Sequence, residues 1–170
     1  MQLAGGFFYL CPKLIRMKIL MVCLGNICRS PLAEGIMQQK INSYGLDAEV
    51  DSAGFEAFHT GDSPDERAIK VAFQNDIDIS EYRARMFQLA DFDRFDRIYV
   101  MDDNNFNDVM RKARNEHDRQ KVGFILNELH PGSNDIVPDP YYGNSRDFED
   151  VFDLLNEAIE KIAGELRKDG

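Results

Sequence analysis

The sequence is poor in cysteine, in positive charge and in long apolar runs. Its 170 residues include only three cysteines: Cys11, Cys23 and Cys28. Three cysteines are too few for a disulfide framework, and no second pair is present for a zinc site. A reducing compartment is the simplest setting for such a chain, so we predict a cytoplasmic location.

Positive charge is scarce, since 20 Lys and Arg residues stand against 30 Asp and Glu residues and give a formal net charge of -10. A strongly acidic surface disfavours general binding to nucleic acid or to anionic membranes, so we expect neither partner. No apolar run approaches the length of a transmembrane helix. A phosphate site in this chain would therefore have to create its positive potential locally.

The composition that remains is typical of one compact domain, with 44% hydrophobic and 29% charged residues. Residues 1–16 differ from the rest. An apolar stretch at 4–10 precedes its basic neighbours, which is the reverse of a signal peptide. We predict a disordered extension or an upstream start at 1–16 and a single domain at 17–170.

Apolar runs of strand length alternate with segments of helical periodicity along this domain. The predicted strands are 18–23, 49–53, 97–101 and 122–126, and the predicted helices are 30–43, 64–76, a short one from 82, 103–115 and 147–167. Residues 127–146 are predicted to form a long loop. Such alternation predicts a three-layer α/β fold, in which a four-stranded parallel sheet carries helices on both faces.

The segment 23–30 joins the first strand to the first helix. It contains a thiol, five intervening residues, an arginine and a hydroxyl. Its backbone N–H groups can surround one tetrahedral anion, and the helix that follows adds its positive end. Gly25 permits a close turn, Asn26 tolerates a positive φ, and Arg29 offers a planar fork for two phosphate oxygens. We predict that Ser30 caps the helix and that Pro31 is its first residue.

The same positive groups would keep Cys23 ionised, and the thiolate is the nucleophilic form of cysteine. The alternative is that Cys23 and Cys28 are small buried hydrophobic residues, which is common for free cysteine. Strand, loop, arginine and Ser-Pro occur here in the order that an anion cradle requires. This register favours the interpretation of Cys23 as a nucleophile.

A thiolate that attacks a phosphate ester must expel an alkoxide or phenolate, so a proton donor speeds the reaction. Asp139 is the candidate donor, within the Asp-Pro-Tyr-Tyr-Gly segment 139–143. Asp-Pro alone is a turn signal. Tyr141 and Tyr142 fit either a slot for a flat substrate ring or ordinary packing of the long loop.

Together, segments 22–34 and 139–143 closely resemble the low-molecular-weight protein tyrosine phosphatases. Segments 51–54, 84–85 and 101–105 also fit, in the right order. The resemblance implies hydrolysis of phosphotyrosine in a protein substrate by a protein that we expect to be monomeric, with no metal and no cofactor. It implies the phosphate loop after the first strand.

The same resemblance assigns residue roles. Cys23 is the nucleophile, Arg29 the phosphate clamp, and Asp139 the general acid and then the general base. It further implies residues that bind the phosphate or support the loop: Leu24, Gly25, Asn26, Ile27, Cys28, Ser30 and Ser52. Substrate-binding residues are Phe58, Tyr141 and Tyr142, with Leu24 and Ile27 also lining the slot. Cys28 resembles a second loop cysteine that can form a reversible disulfide with the nucleophile; otherwise it is a packed spectator.

Two positions depart from the family pattern. Tyr82 stands in the segment where a histidine often supports the loop asparagine, and 75–76 stands where a helix usually ends in glycine. The histidines present, His59, His117 and His130, are predicted to be surface residues without a catalytic role.

Other functions on the same motif remain as alternatives. An arsenate reductase of this fold needs further cysteines downstream, and none follows Cys28. A non-catalytic phospho-binding module would tolerate the loss of Cys23 or Asp139, whereas a phosphocysteine carrier would lack the acid. Both residues are present.

Overall fold

The computed structural model of the protein describes residues 16–168, so the predicted extension lies outside the described residues except for Arg16. A four-stranded sheet forms the centre, with its strands all parallel and in the order β2-β1-β3-β4. The strands are β1 (Met17–Val22), β2 (Ala48–Ala53), β3 (Arg97–Val100) and β4 (Val122–Phe124). The predicted fold class is confirmed.

Helices connect these strands. The α-helices of the described chain are α1 (Arg29–Tyr44), α2 (Glu66–Gln74), α3 (Asp91–Arg94), α4 (Asp103–Lys112), α5 (Glu116–Gln120) and α6 (Ser145–Lys168). Short 3-10 helices cover Ala57–His59 and Ile125–Glu128. None of the helices within residues 16–168 is both long enough and apolar enough to cross a membrane.

The sheet separates two hydrophobic clusters because side chains alternate between its faces. On β1, Ile19 and Met21 join the larger cluster, which also contains the apolar sides of α1, α2 and α6. Leu20 and Val22 point the other way and pack with α3 and α4. Each face of the sheet is thus covered by helices, which gives the three predicted layers.

The start of α1 differs from its prediction. Cys28 occupies the N-cap position, and the helix begins at Arg29. Ser30 therefore lies inside the first turn and does not cap the helix. Its hydroxyl contacts Cys23 and Asn26 instead. The Ser-Pro pair marked the helix start only to within two residues, because the first helical hydrogen bond runs from the Leu32 N–H to the Cys28 carbonyl, at 3.3 Å.

Other boundaries also move. Helix α2 begins after Asp65, whose carboxylate accepts from the N–H of Arg67. The residue in left-handed conformation at its end is Asp76, with φ 61. The predicted short helix from Tyr82 is wrong. This segment runs through turns and extended backbone, and its carbonyls at Ala84 and Arg85 accept from the loop N–H groups of Gly61 and Gly54.

The chain between β3 and α6 shows two further differences. The predicted helix 103–115 ends earlier, at Lys112 of α4, and a separate helix that was not predicted, α5, begins after Asn115, whose side chain caps it. Strand β4 ends at Phe124, and a 3-10 helix follows where the prediction extended the strand to 126. Neither difference affects the edge of the sheet at which Cys23 follows β1 and Asp102 follows β3, as parallel strands require.

Candidate active site

The segment 23–30, called the phosphate loop here, curls between β1 and α1. Asn26 has φ 55, the left-handed conformation that its side chain tolerates. The Leu24 carbonyl accepts from the N–H groups of Phe55 and Glu56 at 2.7 and 3.1 Å. A Cβ on Gly54 would come within 2.7 Å of the same Leu24 oxygen, so the loop can approach β2 only because this residue is glycine.

A chain of hydrogen bonds holds the loop from below. The Asn26 Nδ2 group donates to the hydroxyls of Ser30 and Ser52, both at 2.8 Å. The backbone N–H of Arg85 donates to Asn26 Oδ1 at 3.0 Å, which fixes the orientation of the amide. Ser30 Oγ lies 3.1 Å from Cys23 Sγ. Since this oxygen already accepts from Asn26, its proton is available to the sulfur.

Glu34, in the second turn of α1, is the last group in this series of hydrogen bonds. Ser52 Oγ donates to Glu34 Oε2 at 2.5 Å. Burial raises the pKa of Glu34 to about 7, and Asp51 adds to the rise, whereas Ser52 and Arg85 oppose it. The carboxyl is therefore partly protonated near neutral pH.

Tyr82 packs against the core near Glu34. Burial, followed by the charge of Glu34, raises the pKa of Tyr82 to about 12. The phenol is neutral at physiological pH and supplies no positive charge to Glu34, unlike a protonated histidine. Asn26 takes its support from the backbone of Arg85.

Arg29 is 2% exposed and points its guanidinium at two carboxylates. Its Nη1 donates to Asp102 Oδ2 at 2.7 Å and to the Val137 carbonyl at 3.0 Å. Its Nη2 donates to Asp139 Oδ2 at 3.2 Å. Burial alone would lower the pKa of Arg29, but Cys23, Asp102 and Asp139 together raise it above its ordinary value. The guanidinium thus stays charged although it is buried.

Residues 137–144, called the acid loop here, bring Asp139 to the site. The Val137 N–H donates to the carbonyl of Met101 at the end of β3, at 2.7 Å. Asp139 Oδ1 accepts from the N–H of Tyr141 at 3.1 Å. The Asp139 side chain is 42% exposed, so it can meet a substrate that enters from solvent.

The two loops enclose one cavity of about 420 Å³. Cys23 lies at its floor, 2% exposed, whereas Phe58 and Tyr142 stand at its rim, 88% and 95% exposed. The lining residues are Cys23, Leu24, Gly25, Ile27, Cys28, Arg29, Glu56, Ala57, Phe58, His59, Asp139, Tyr141 and Tyr142. An apolar, aromatic entrance thus leads to a polar floor that carries a thiol.

The comparisons with known proteins agree with this geometry. Residues 18–170 match the family described as low molecular weight phosphotyrosine protein phosphatase. The chain belongs to this family. The matched region of this phosphatase family includes both the phosphate loop and the acid loop.

Named relatives of this phosphatase family align over more than three quarters of the chain. A low molecular weight phosphotyrosine protein phosphatase of Schizosaccharomyces pombe is 39% identical, covering 86% of this chain and 97% of its own. A human protein of the same description is 36% identical, covering 79% and 85%. The crystal structure of a protein tyrosine phosphatase from Entamoeba histolytica with Hepes in its active site has a TM-score of 0.83 and 35% identity, covering 90% and 98%.

Most predicted site residues lie together in the phosphatase cavity or directly beneath it. Asn26, Ser30 and Ser52 lie beneath the floor and are buried. His59 was predicted to be a surface residue, and this prediction is wrong. It lines the cavity, with its Cδ2 3.1 Å from where a Cβ of Gly25 would lie, because the 3-10 turn folds over the phosphate loop. His117 and His130 are exposed, as predicted.

Cys28 lies beside the cavity floor and is buried. Burial, then the neighbouring Cys23, raises the pKa of the Cys28 thiol well above its usual range. Cys23 and Cys28 are both free thiols. Cys28 is therefore protonated at neutral pH, and a disulfide with Cys23 stays a prediction.

Sequence reasoning missed three groups that shape the site: Gly54, Asp102 and Glu34. Gly54 and Asp102 follow the ends of strands, and Glu34 contacts Ser52 near the end of β2. Their positions near the ends of predicted strands could have marked them as site residues. Asp102 lies two residues after the end of β3, at the same sheet edge as Cys23, and it also caps α4 by accepting from the N–H of Asn105. Its bond to Arg29 requires the observed strand order, which the sequence alone did not specify.

Proposed function

We propose that this chain is a cysteine-dependent protein tyrosine phosphatase that hydrolyses phosphotyrosine, and aryl phosphates, through a phosphocysteine on Cys23. One observation carries the proposal. The buried Cys23 thiol, the buried Arg29 guanidinium and the partly exposed Asp139 carboxylate line the same cavity. The guanidinium donates a hydrogen bond to the carboxylate at 3.2 Å. Nucleophile, anion clamp and proton donor are thus available to one substrate phosphate.

In the first step, the Cys23 sulfur attacks phosphorus in line with the leaving oxygen. The phosphate-loop N–H groups and the Arg29 guanidinium stabilise the charge on the equatorial oxygens. The Ser30 hydroxyl, polarised by Asn26, donates to the sulfur and stabilises its ionised form. A phosphorus–sulfur bond forms as the phosphorus–oxygen bond breaks.

Asp139 protonates the departing phenolic oxygen in that step. It then removes a proton from the water that attacks the phosphocysteine, so phosphate leaves and the thiolate returns. Its exposed position suits both acts, because leaving group and water reach the floor from the entrance. Asp102 shares Arg29 with Asp139 and fixes the guanidinium.

The remaining predicted residues fall into supporting roles. The loop-supporting residues are Leu24, Gly25, Asn26, Ile27, Cys28, Ser30 and Ser52. Phe58, Tyr141 and Tyr142 form the aromatic rim, and Tyr141 and Tyr142 meet edge to face with their ring centroids 4.9 Å apart. An aromatic rim above the thiol suits the flat ring of phosphotyrosine.

The substrate is accordingly a phosphoprotein. The domain is residues 17–170, and the protein acts as a monomer in the cytoplasm, without nucleic acid, membrane, metal or cofactor as a partner. The net charge of -10 supports the expectation that polyanions are not bound.

Hydrolysis of p-nitrophenyl phosphate and of a phosphotyrosine peptide tests the proposal directly. We expect both to be hydrolysed, with a transient phosphoenzyme. An arsenate reductase would reduce arsenate with thioredoxin, and a silent binding module would bind phosphotyrosine without turnover. A carrier would keep its phosphocysteine until an acceptor is added. Any of these three results would contradict the proposal.

A further inference from the structure

Arg67, in the first turn of α2, lies outside the catalytic set yet reaches the acid loop. Its Nη2 donates to the carbonyl of Tyr141 at 2.9 Å. Its Nη1 donates to the carbonyl of Gly143 at 3.0 Å. Both carbonyls belong to the backbone that immediately follows Asp139. One planar guanidinium thus binds two points of this loop, which a lysine ammonium on its flexible stem would not reproduce.

The Arg67 side chain is itself held in place. Its Nε and Nη2 donate to the two carboxylate oxygens of Asp65 at 2.9 and 2.8 Å. Its guanidinium lies over the ring of Phe148 on α6, 4.5 Å from the centroid. The side-on ion pair lowers the pKa of Asp65, which therefore stays ionised. Such a fixed guanidinium can transmit its position to the groups that it binds.

Asp65 connects this group to the phosphate loop. Its backbone N–H donates to the carbonyl of Ile27 at 2.8 Å. Ile27 lies between Asn26 and Cys28 on the cavity wall. The pair Asp65–Arg67 therefore binds the phosphate loop on one side and the acid loop on the other.

The acid loop has few other attachments. Before Asp139, Val137 is bound by Arg29 and by Met101. After Asp139, the other hydrogen bonds of residues 140–144 in the described chain stay within the loop or go to the start of α6. Arg67 is thus the contact that ties this second half to α2.

We propose that Arg67 is a positioning residue for the general acid: with Asp65 it holds Asp139 and Tyr141 at a fixed separation from the phosphate loop. This inference rests on the proposed phosphatase function. Its energetic basis is that proton transfer depends steeply on the placement of the donor. Loss of Arg67 moves the acid away from the leaving oxygen without altering the nucleophile or the anion cradle.

The test uses Arg67→Met, which keeps apolar contact with Phe148 but removes the guanidinium that binds the Tyr141 and Gly143 carbonyls. We expect kcat/KM, which reports departure of the leaving group, to fall about 10- to 100-fold with phenyl phosphate, whose leaving group needs a proton, and much less with p-nitrophenyl phosphate. In an Asp139→Asn background the same substitution should add little further loss. A purely structural role would lower both rates equally, and that loss would persist without Asp139.

The matched control is Arg111→Met, which removes an exposed arginine of α4 that pairs with Asp108. We expect wild-type rates from it. Urea unfolding of each variant separates lost stability from lost positioning, and Arg67→Lys serves if Arg67→Met does not fold. Arg67→Lys should show the same preference for the better leaving group. Unchanged rates in both Arg67 variants would overturn the inference, whereas a wild-type protein without phosphatase activity would overturn the proposed function instead.

Discussion

The two loops of the cavity are built in opposite ways. In the phosphate loop, Asn26, Arg29 and Ser30 are 3%, 2% and 0% exposed. The Asn26 side chain donates to Ser30, and the Arg29 side chain donates to Asp102. In the acid loop, Asp139 is 42% exposed at its side chain and Tyr142 is 95% exposed. Buried side-chain hydrogen bonds hold the phosphate loop. The acid loop is held by Arg29 and Arg67, two arginines that lie outside it.

This difference follows from what each loop does. An anion cradle stabilises a transition state only if its dipoles are already oriented, so burial and a complete hydrogen-bond network are an advantage. A proton donor must meet a leaving group and then a water molecule, so it must remain accessible. Damage to the first loop should therefore affect all substrates, whereas damage to the second should depend on the leaving group.

The largest expected effect is that of Cys23→Ser. A serine hydroxyl is not ionised at this site, so turnover of every substrate should fall by about 10⁴-fold or more. Phosphate binding should survive, because the N–H groups and Arg29 remain. Turnover of p-nitrophenyl phosphate and calorimetric titration with phosphate are the measurements. Wild-type turnover would refute the assignment of the nucleophile.

Asp139→Asn should have the second largest effect on activity. It removes the transferable proton but keeps the shape of the side chain. We expect kcat/KM, which reports the step in which the leaving group departs, to fall about 100- to 1,000-fold with phenyl phosphate and considerably less with p-nitrophenyl phosphate. Steady-state rates over a series of aryl phosphates measure the difference. An equal loss for all leaving groups would remove the distinction between the two loops.

Ser52→Ala tests the support beneath the phosphate loop. It deprives Asn26 of one acceptor and Glu34 of its donor, so the loop loses part of its buried network. We expect kcat to fall about tenfold for good and poor leaving groups alike, equivalent to about 1.4 kcal/mol. Ser43→Ala, an exposed position on α1, is the control and should have no effect. A loss confined to poor leaving groups would contradict the account.

Glu34→Gln should have the smallest effect on activity but a clear one on pH dependence. The folded-state pKa of Glu34 is raised from 4.5 to about 7, so between these values the folded protein binds more protons than the unfolded chain. Its contribution to stability is thus full below about pH 4.5 and is lost as the pH rises through about 7.

The size of this contribution is about 3 kcal/mol at 1.36 kcal/mol per pKa unit. Urea unfolding between about pH 5 and pH 8 should show wild-type stability falling with pH more than that of Glu34→Gln. Glu149→Gln, at an exposed position on α6, should retain the wild-type slope. Identical slopes for wild type and Glu34→Gln would show that this carboxyl is not buried as described.

Local patterns predicted the strands, the phosphate loop and the candidate acid, because each depends on neighbouring residues. The sheet needs only short apolar runs, and the loop needs a thiol, glycine and arginine at set spacing. Groups that act across the fold escaped prediction. Asp102 meets Arg29, and Arg67 meets Tyr141, only after distant segments pack together. Only the capping role predicted for Ser30 was wrong, because a hydroxyl before proline suits a helix cap as well as a buried network.

The central claim is that Cys23 carries the phosphoryl group. Asp139→Asn with p-nitrophenyl phosphate should accumulate the intermediate, because formation then needs little acid while hydrolysis lacks its base. Rapid acid quenching, digestion and mass spectrometry would locate the added group. The account predicts one phosphoryl group on the peptide that contains Cys23 and none in Cys23→Ser. A phosphoryl group on another residue, with Cys23 unmodified, would contradict it.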